Sequence, residues 1–159
     1  MVIALNEWEV AKLFEGDTRS DIGSEAEKLK FANQINELLP RFIRLDLDAE
    51  TQSEMLVMER LYPLDYRAWE QEKREIVLSV FEDELKQLHS NGFVHRDLCR
   101  PSNVEGERFD NIFLTEKGIR LIDVGISAIQ NQVGETLFSK FVQQELEELE
   151  KFAVFFLNR

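Results

Sequence analysis

Residues that cross-link small proteins are almost absent from this sequence. Among its 159 residues there are one cysteine, Cys99, and two histidines, His89 and His95. A lone cysteine cannot form an internal disulfide, and so few soft donor side chains cannot build a structural zinc site. The fold must therefore depend on an apolar core, and the composition is typical of a reducing, cytoplasmic compartment.

Positive charge and long apolar segments are scarce as well. Lys and Arg number 19 against 31 Asp and Glu, which gives a formal net charge of -12. A chain this acidic repels a phosphate backbone, so we expect no nucleic-acid partner. The longest apolar run, Phe152–Leu157, is far shorter than a membrane span, and the N-terminus lacks a basic segment followed by an apolar stretch. We therefore expect no membrane partner and a cytoplasmic location.

Proline and glycine, at three and seven residues, are too few for a flexible linker, so the sequence predicts one domain over residues 1–159. Segments rich in β-branched and aromatic residues predict strands at Val2–Leu5, Trp8–Phe14, Arg41–Leu47 and Met55–Leu61. A hairpin is predicted further on, where a Glu-Lys-Gly turn separates Ile112–Leu114 from Ile119–Ile122.

Three segments predict helices. The spacing Ser24-x-x-Glu27 is that of a capping box, and it predicts a helix that runs to about Leu39, just before a proline. Apolar residues at helical spacing predict a buried helix over Trp69–His89 and a last helix over Phe138–Leu157. Because most strands precede most helices, the predicted fold class is α+β.

Two short motifs carry the charged residues that indicate chemistry. His-Arg-Asp at 95–97 follows a predicted helix that ends in Leu-His-Ser, and Asp-Val-Gly at 123–125 follows the predicted hairpin. Each motif alone is compatible with an ordinary turn. In this order, with the helix before them and the hairpin between them, they resemble the His-Arg-Asp and Asp-Phe-Gly motifs of the protein kinase catalytic core.

This resemblance implies a two-lobed, kinase-like fold, with residues 1–61 as a truncated sheet lobe and residues 62–159 as a truncated helical lobe. It also implies ATP as the phosphoryl donor and Mg²⁺ as the cofactor. In the family's roles, Asp97 accepts the proton of the acceptor hydroxyl and Asp123 holds the metal. Two carboxylates suit this reaction because the transferred phosphoryl group is strongly negative, so one must hold a cation while the other orients the hydroxyl.

Upstream, Val10-Ala11-Lys12 resembles the strand motif whose lysine contacts the nucleotide phosphates, which implies a catalytic role for Lys12. The family pairs this lysine with a glutamate on the next helix. Here we favour Glu27 over Glu25, although the capping box competes for the Glu27 carboxylate.

The resemblance also implies a second metal ligand and an adenine pocket. The family's asparagine after the catalytic aspartate is either Asn111 or Asn103, and we favour Asn111 because it leads directly into the hairpin. Met58-Glu59-Arg60-Leu61 resembles the gatekeeper and hinge. The expected nucleotide-binding residues are therefore Lys12, Val10, Met58, Glu59, Leu61 and Phe113.

The sequence departs from the family in three places. It contains no G-x-G-x-x-G, Cys99 stands where the family has a lysine, with Arg100 as the candidate substitute, and no Ala-Pro-Glu follows Gly125. This shortened form resembles the minimal kinases among bacterial effectors, which implies delivery into a host cell. It is more distantly similar to aminoglycoside and sugar kinases.

Three functions remain open at this point. The first is a protein kinase acting on Ser or Thr rather than Tyr, the second is a pseudokinase that binds a partner, and the third is a small-molecule kinase. Because no Gly-rich loop covers the phosphates, we expect an activating protein partner besides the protein substrate. The apolar end of the last helix, Phe152–Leu157, either fills the core or leaves an exposed patch for such a partner or for self-association.

Overall fold

The described part of the chain contains ten strands and four helices. The computed structural model describes residues 1–14, 21–102 and 106–158. The elements are β1 (Val2–Ala4), β2 (Glu9–Phe14), α1 (Ile22–Asn33), β3 (Phe42–Leu47), β4 (Glu54–Glu59), α2 (Gln71–Ser90), β5 (Phe93–Val94), β6 (Arg100–Ser102), β7 (Gly106–Arg108), β8 (Ile112–Thr115), β9 (Gly118–Leu121), β10 (Ala128–Ile129), α3 (Gln130–Val133) and α4 (Glu135–Leu157). This arrangement confirms the predicted α+β class.

An antiparallel sheet in the order β1-β2-β4-β3 forms the first part of the fold. Alternate residues of a strand point to opposite faces, and β4 separates two apolar clusters in this way. Leu56 packs with Phe14 and with Ala26 of α1, whereas Met55 and Val57 pack with Ala11 on the other face. All four predicted strands of this region are confirmed, with ends that differ by one or two residues.

Helix α1 begins earlier and ends earlier than predicted. Its N-cap is Asp21, whose carboxylate accepts a hydrogen bond from the Gly23 N–H at 2.9 Å, so the predicted capping box at Ser24 is wrong. The helix ends at Asn33 rather than near Leu39. The Asn33 side chain accepts from the Phe42 N–H at 2.8 Å and donates to the Pro40 carbonyl at 3.1 Å, which fixes the chain as it turns into β3.

The second part of the fold is built on α2 and α4, as predicted. α2 buries Leu78, Phe81, Leu85 and Leu88, and its cluster includes Phe152 and Phe156 of α4. The predicted hairpin is confirmed as β8 and β9, which pair Ile112 with Leu121 and Thr115 with Gly118. Helix α4 starts at Glu135, three residues before the predicted start.

The apolar end of α4 is mostly but not wholly buried. Phe152, Ala153, Phe156 and Leu157 belong to the core, while Val154 and Phe155 are 42% and 41% exposed. The last carbonyl groups of a helix have no partner within that helix. In α4 these carbonyls accept hydrogen bonds from side chains that lie just before α2 or in its first turn. The donors are Arg67, Gln71 and Arg74. No helix in the described ranges is both long and apolar enough to cross a membrane.

Candidate active site

A cavity of about 370 Å³ lies between the four-stranded sheet and the β8–β9 hairpin. This volume is in the range of small-molecule sites. Seven of the residues predicted for nucleotide and metal binding line it: Val10, Lys12, Met58, Glu59, Leu61, Phe113 and Asp123. Pairing of β2 with β4 brings Val10 opposite Met58, so two of these apolar side chains are neighbours on the sheet.

Lys12 pairs with Glu25, not with Glu27. Its Nζ donates to Glu25 Oε1 at 2.8 Å and lies 3.7 Å from Asp123 Oδ1. Glu25 is buried, and its Oε2 has no hydrogen-bond partner among the described residues. Glu27 instead accepts a hydrogen bond from Gln132 of α3 at 3.2 Å. The preference for Glu27 as the lysine's partner is therefore wrong, because the helix phase set by Asp21 turns Glu25 towards β2.

This difference gives a direct prediction for two neighbouring glutamates. Glu25→Gln should weaken ATP binding about threefold to tenfold, because a hydrogen bond from a cation to a neutral amide is weaker than one to a carboxylate. Glu27→Gln, the matched control two residues away, should leave binding unchanged. Calorimetric titration of both variants with ATP and magnesium checks the assignment, and equal affinities would contradict it.

Asp123 has a strained backbone and a stabilised carboxylate. Its φ of 64° lies in the left-handed region, which residues other than glycine and asparagine seldom adopt. Burial alone would raise the pKa of this carboxyl, but the hydrogen bond from the Gly125 N–H and the positive charges of Lys12 and Arg100 together lower it. A Cβ at Gly125 would lie 3.1 Å from Asp123 Oδ1, so glycine leaves the space this carboxylate needs. Asp123 is thus ionised and ready to bind a cation.

Asp97 is held at the edge of the same site by two side chains. Arg100 donates to both of its oxygens, at 3.2 Å and 2.8 Å, and Asn111 donates to Oδ2 at 3.0 Å. The Arg100 Nη2, which makes the 2.8 Å contact, also lies 4.0 Å from Asp123 Oδ2, so one guanidinium group lies between the two carboxylates. The predicted Asn111 therefore lies beside Asp97; its alternative, Asn103, lies outside the described residues.

His95 connects the two motifs. Its Nδ1 accepts from the Asp97 N–H at 3.2 Å, so Nε2 carries the proton and donates to the Ile122 carbonyl at 2.8 Å. The ring is fully buried. The histidine thereby fixes the backbone of Asp97 relative to the residue that precedes Asp123.

Glu145 of α4 is a buried carboxylate that the sequence analysis did not identify. It accepts from the backbone N–H groups of His95 and Arg96, at 3.2 Å and 2.7 Å, and lies 2.6 Å from His89 Nε2. These contacts hold Arg96 at a φ of 74°. A signal was present, because Glu145 precedes Leu149 by four residues and so falls on the apolar stripe of α4.

The hinge residue Glu59 forms an ion pair that ties the sheet to the hairpin. Arg120 of β9 donates to Glu59 Oε1 at 2.8 Å and to the Leu39 carbonyl at 3.1 Å. Burial raises the pKa of Glu59, but the hydrogen bonds from Arg120 and from the Arg41 N–H outweigh that effect and lower it. The Glu59 side chain is therefore engaged by Arg120, and the N–H groups of Glu59 and Arg60 donate to the carbonyls of Arg41 and Trp8.

The donor set fits magnesium bound together with a nucleotide. Within the described ranges, no group of three or more His, Cys, Asp and Glu side chains could hold a metal by itself. Mg²⁺ is usually held by one or two carboxylates plus substrate phosphates rather than by an all-protein cage. Asp123 provides such a carboxylate, and the adjacent Lys12 ammonium provides a charge for phosphate oxygens.

Beside the catalytic loop, Glu148 lies in a cavity of about 290 Å³ with Arg96, Phe141 and Glu145. Burial, together with the negative charges of Glu145 and Asp97, raises the pKa of Glu148 from 4.5 to about 7. A carboxyl whose folded-state pKa is raised stabilises the fold at low pH, and that contribution is lost as the pH rises through the folded-state pKa.

Glu148→Gln should therefore stabilise the protein only at higher pH. Above pH 7 we expect Tm to rise by roughly 2–4 °C, since the half-buried site is partly screened by solvent. Below the unfolded-state pKa the two proteins should melt together. Thermal unfolding followed by circular dichroism across this pH range tests the sign, and Glu147→Gln at the exposed neighbouring position is the control. A constant Tm difference at all pH values would contradict the assignment.

Comparison with known proteins supports the fold. No protein-family model and no curated protein matches the sequence. Among solved structures, the chain is similar to the kinase PK-1 of Cydia pomonella granulovirus, with a TM-score of 0.55 and 16% sequence identity. The match covers 76% of this chain and 43% of the viral kinase, so the chain spans less than half the length of that protein. The matched 76% of the chain therefore has a kinase-like fold.

Proposed function

We propose that this chain is a protein kinase that transfers the γ-phosphoryl group of Mg-ATP to a serine or threonine hydroxyl. The observation that carries the proposal is that Lys12, paired with Glu25, and the adjacent Asp123 line one cavity, while Asp97 lies at its edge and is joined to Asp123 through Arg100. In this proposal residues 1–61 and 62–159 act as the two lobes that enclose the cavity.

The cavity has an apolar end and a charged end, which match the adenine and the phosphates of a nucleotide. Val10, Met58, Leu61 and Phe113 offer apolar surface to adenine. Lys12, held in place by Glu25, binds phosphate oxygens. Asp123 would hold the metal, and the Oδ1 of Asn111 would be its second protein ligand, because the amide nitrogen of Asn111 is engaged by Asp97. Bound Mg²⁺ neutralises charge on the phosphates.

Asp97 orients the acceptor hydroxyl and accepts its proton. Arg100 donates a hydrogen bond to each Asp97 oxygen, which makes the carboxylate a weaker base, so in this proposal Arg100 moves away from at least one of them. Arg100 is half exposed and lies next to Asp123, so the short movement onto the phosphates would free Asp97. The same movement brings the Arg100 guanidinium to the transferred phosphoryl group, whose negative charge must be stabilised.

Transfer of labelled phosphate from ATP to a general acceptor tests this proposal. With dephosphorylated casein as the acceptor, we expect label transfer that requires magnesium and is lost in Asp123→Asn. The control is Asp83→Asn, at an exposed position of α2, which should transfer label at the wild-type rate. Transfer that persists in Asp123→Asn would contradict the site, and magnesium-dependent ATP binding without any transfer would favour the pseudokinase function.

A further inference from the structure

Strand β3 forms an edge of the four-stranded sheet. In the ranges that the structure describes, it pairs with β4 and has no strand on its other side. A six-residue edge strand exposes backbone N–H and C=O groups that can pair with another chain. Soluble proteins usually protect such edges with charged side chains or proline, so the side chains of β3 decide what this edge can accept.

From Arg44 to Leu47, beyond a register irregularity between Phe42 and Arg44, the side chains of β3 alternate between charged and apolar. Arg44 and Asp46 lie opposite Val57 and Met55 on one face and form an ion pair at 3.2 Å. Leu45 and Leu47 lie on the other face and are 48% and 53% exposed. These leucines have apolar surface that nothing in the described part of the chain covers.

The order Arg44-Leu45-Asp46 is self-complementary. When two identical strands pair antiparallel about a two-fold axis through Leu45, that leucine meets its own copy. Arg44 of each protomer then lies opposite Asp46 of its partner, twice per dimer. Cross-strand pairs of opposite charge and of apolar side chains stabilise antiparallel strands, and a two-fold interface requires this kind of self-matching surface.

We propose that the β3 edge binds the β3 edge of a second copy of this chain, joining two sheets into one continuous sheet. Charge complementarity selects this occupant, because the Arg44 and Asp46 side chains match the same two residues in reverse order. Arg44 also pairs with Glu9 of β2 at 3.1 Å. Because Arg44 is 45% exposed, both of its ion pairs within the chain contribute little and can exchange for pairs between chains. The short contact makes the dimer weak and concentration-dependent. It is independent of phosphoryl transfer.

Charge reversal at the two positions tests this inference. Arg44→Asp places Asp opposite Asp46 of the partner, and Asp46→Arg places Arg opposite Arg44, so each single variant should weaken dimerisation about tenfold or more. An equimolar mixture of the two variants restores opposite charges at both contacts, and so does the double variant Arg44→Asp/Asp46→Arg. Both should dimerise like the wild type.

Sedimentation velocity from low to high micromolar protein measures these dimers, and thermal melts confirm that each variant is folded. Arg108→Asp is the matched control. It changes the net charge by the same amount as Arg44→Asp, at an exposed position outside the four-stranded sheet. Concentration-dependent dimers that the single variants lose and the mixture regains would support the proposal. A wild-type monomer at all concentrations would overturn it, and so would a dimer that the single variants retain or that the mixture fails to restore.

Discussion

Asp97→Asn is expected to lower kcat for phosphoryl transfer by about 10²- to 10⁴-fold, the usual contribution of a positioned general base. The amide has the shape of the carboxylate and can still accept the hydrogen bond from Asn111, but it cannot take the proton of the acceptor hydroxyl. Since Asp97 does not line the nucleotide cavity, ATP affinity should change by less than about twofold, or ~0.4 kcal/mol. Steady-state kinetics and calorimetric ATP titration of the same protein separate these two effects.

The matched control for Asp97→Asn is Asp110→Asn. Asp110 is exposed and pairs with Arg108 at 3.5 Å, near the catalytic loop but outside the nucleotide cavity. Its kcat should remain close to that of the wild type. A wild-type kcat for Asp97→Asn would mean that another group accepts the proton, and the proposed role of Asp97 would be wrong.

Glu145→Ala should produce the largest loss of stability, about 3–5 kcal/mol, which is typical when one partner of a buried charged network is removed. The substitution leaves the N–H groups of His95 and Arg96, and the ring of His89, without their carboxylate. For a chain of this length, Tm should fall by more than about 6 °C. Because the same contacts fix the loop that holds Asp97, kcat should fall at temperatures where the variant is still folded.

Two further variants show whether the loss of stability in Glu145→Ala comes from its buried carboxylate. Glu147→Ala removes an exposed carboxylate two residues away and should leave Tm within about 1 °C, as surface substitutions usually do. Glu145→Gln keeps an oxygen for one of the N–H groups and should lie between the wild type and alanine. Denaturant and thermal unfolding measure all three proteins. A Tm for Glu145→Ala equal to that of Glu147→Ala would show that the buried contacts do not stabilise the loop.

Local patterns were sufficient to predict most of the secondary structure. The hairpin β8–β9 and helix α2 have clear periodicity and clear end signals, such as the Asn91-Gly92 pair, where Gly92 adopts a φ of 88°. Helix α1 was predicted less well because its N-cap is Asp21, three residues before the Ser24 that the capping-box spacing indicated. Asp21 binds the Gly23 N–H and starts the helix before Ser24.

The wrong choice of Glu27 over Glu25 as the partner of Lys12 also concerns α1, namely which face of this helix packs against the sheet. Residues two apart on a helix point about 200° apart, so only one of Glu25 and Glu27 can face β2. The sequence contains both, and the packing of Ala26 and Leu29 against their clusters decides the rotation of the helix. The ion pair of Lys12 therefore depends on contacts that a linear motif does not contain.

The contacts of Glu145 could not be predicted for a similar reason. They join residues about 50 positions apart, through backbone N–H groups whose direction depends on the left-handed conformation of Arg96. By contrast, several residues predicted to share one pocket do line one cavity. Val10, Met58 and Phe113 are placed there by strand pairing, and alternation along a strand is visible in the sequence.

ATP titration by calorimetry, with and without magnesium, tests most directly whether this cavity is a nucleotide–metal site. We expect one ATP to bind per chain in the presence of magnesium, and at least about tenfold weaker binding, ~1.4 kcal/mol, when magnesium is omitted or Asp123 is replaced by Asn. Binding that is equally tight without magnesium and in Asp123→Asn, or no binding to the folded wild-type protein, would contradict the proposed site.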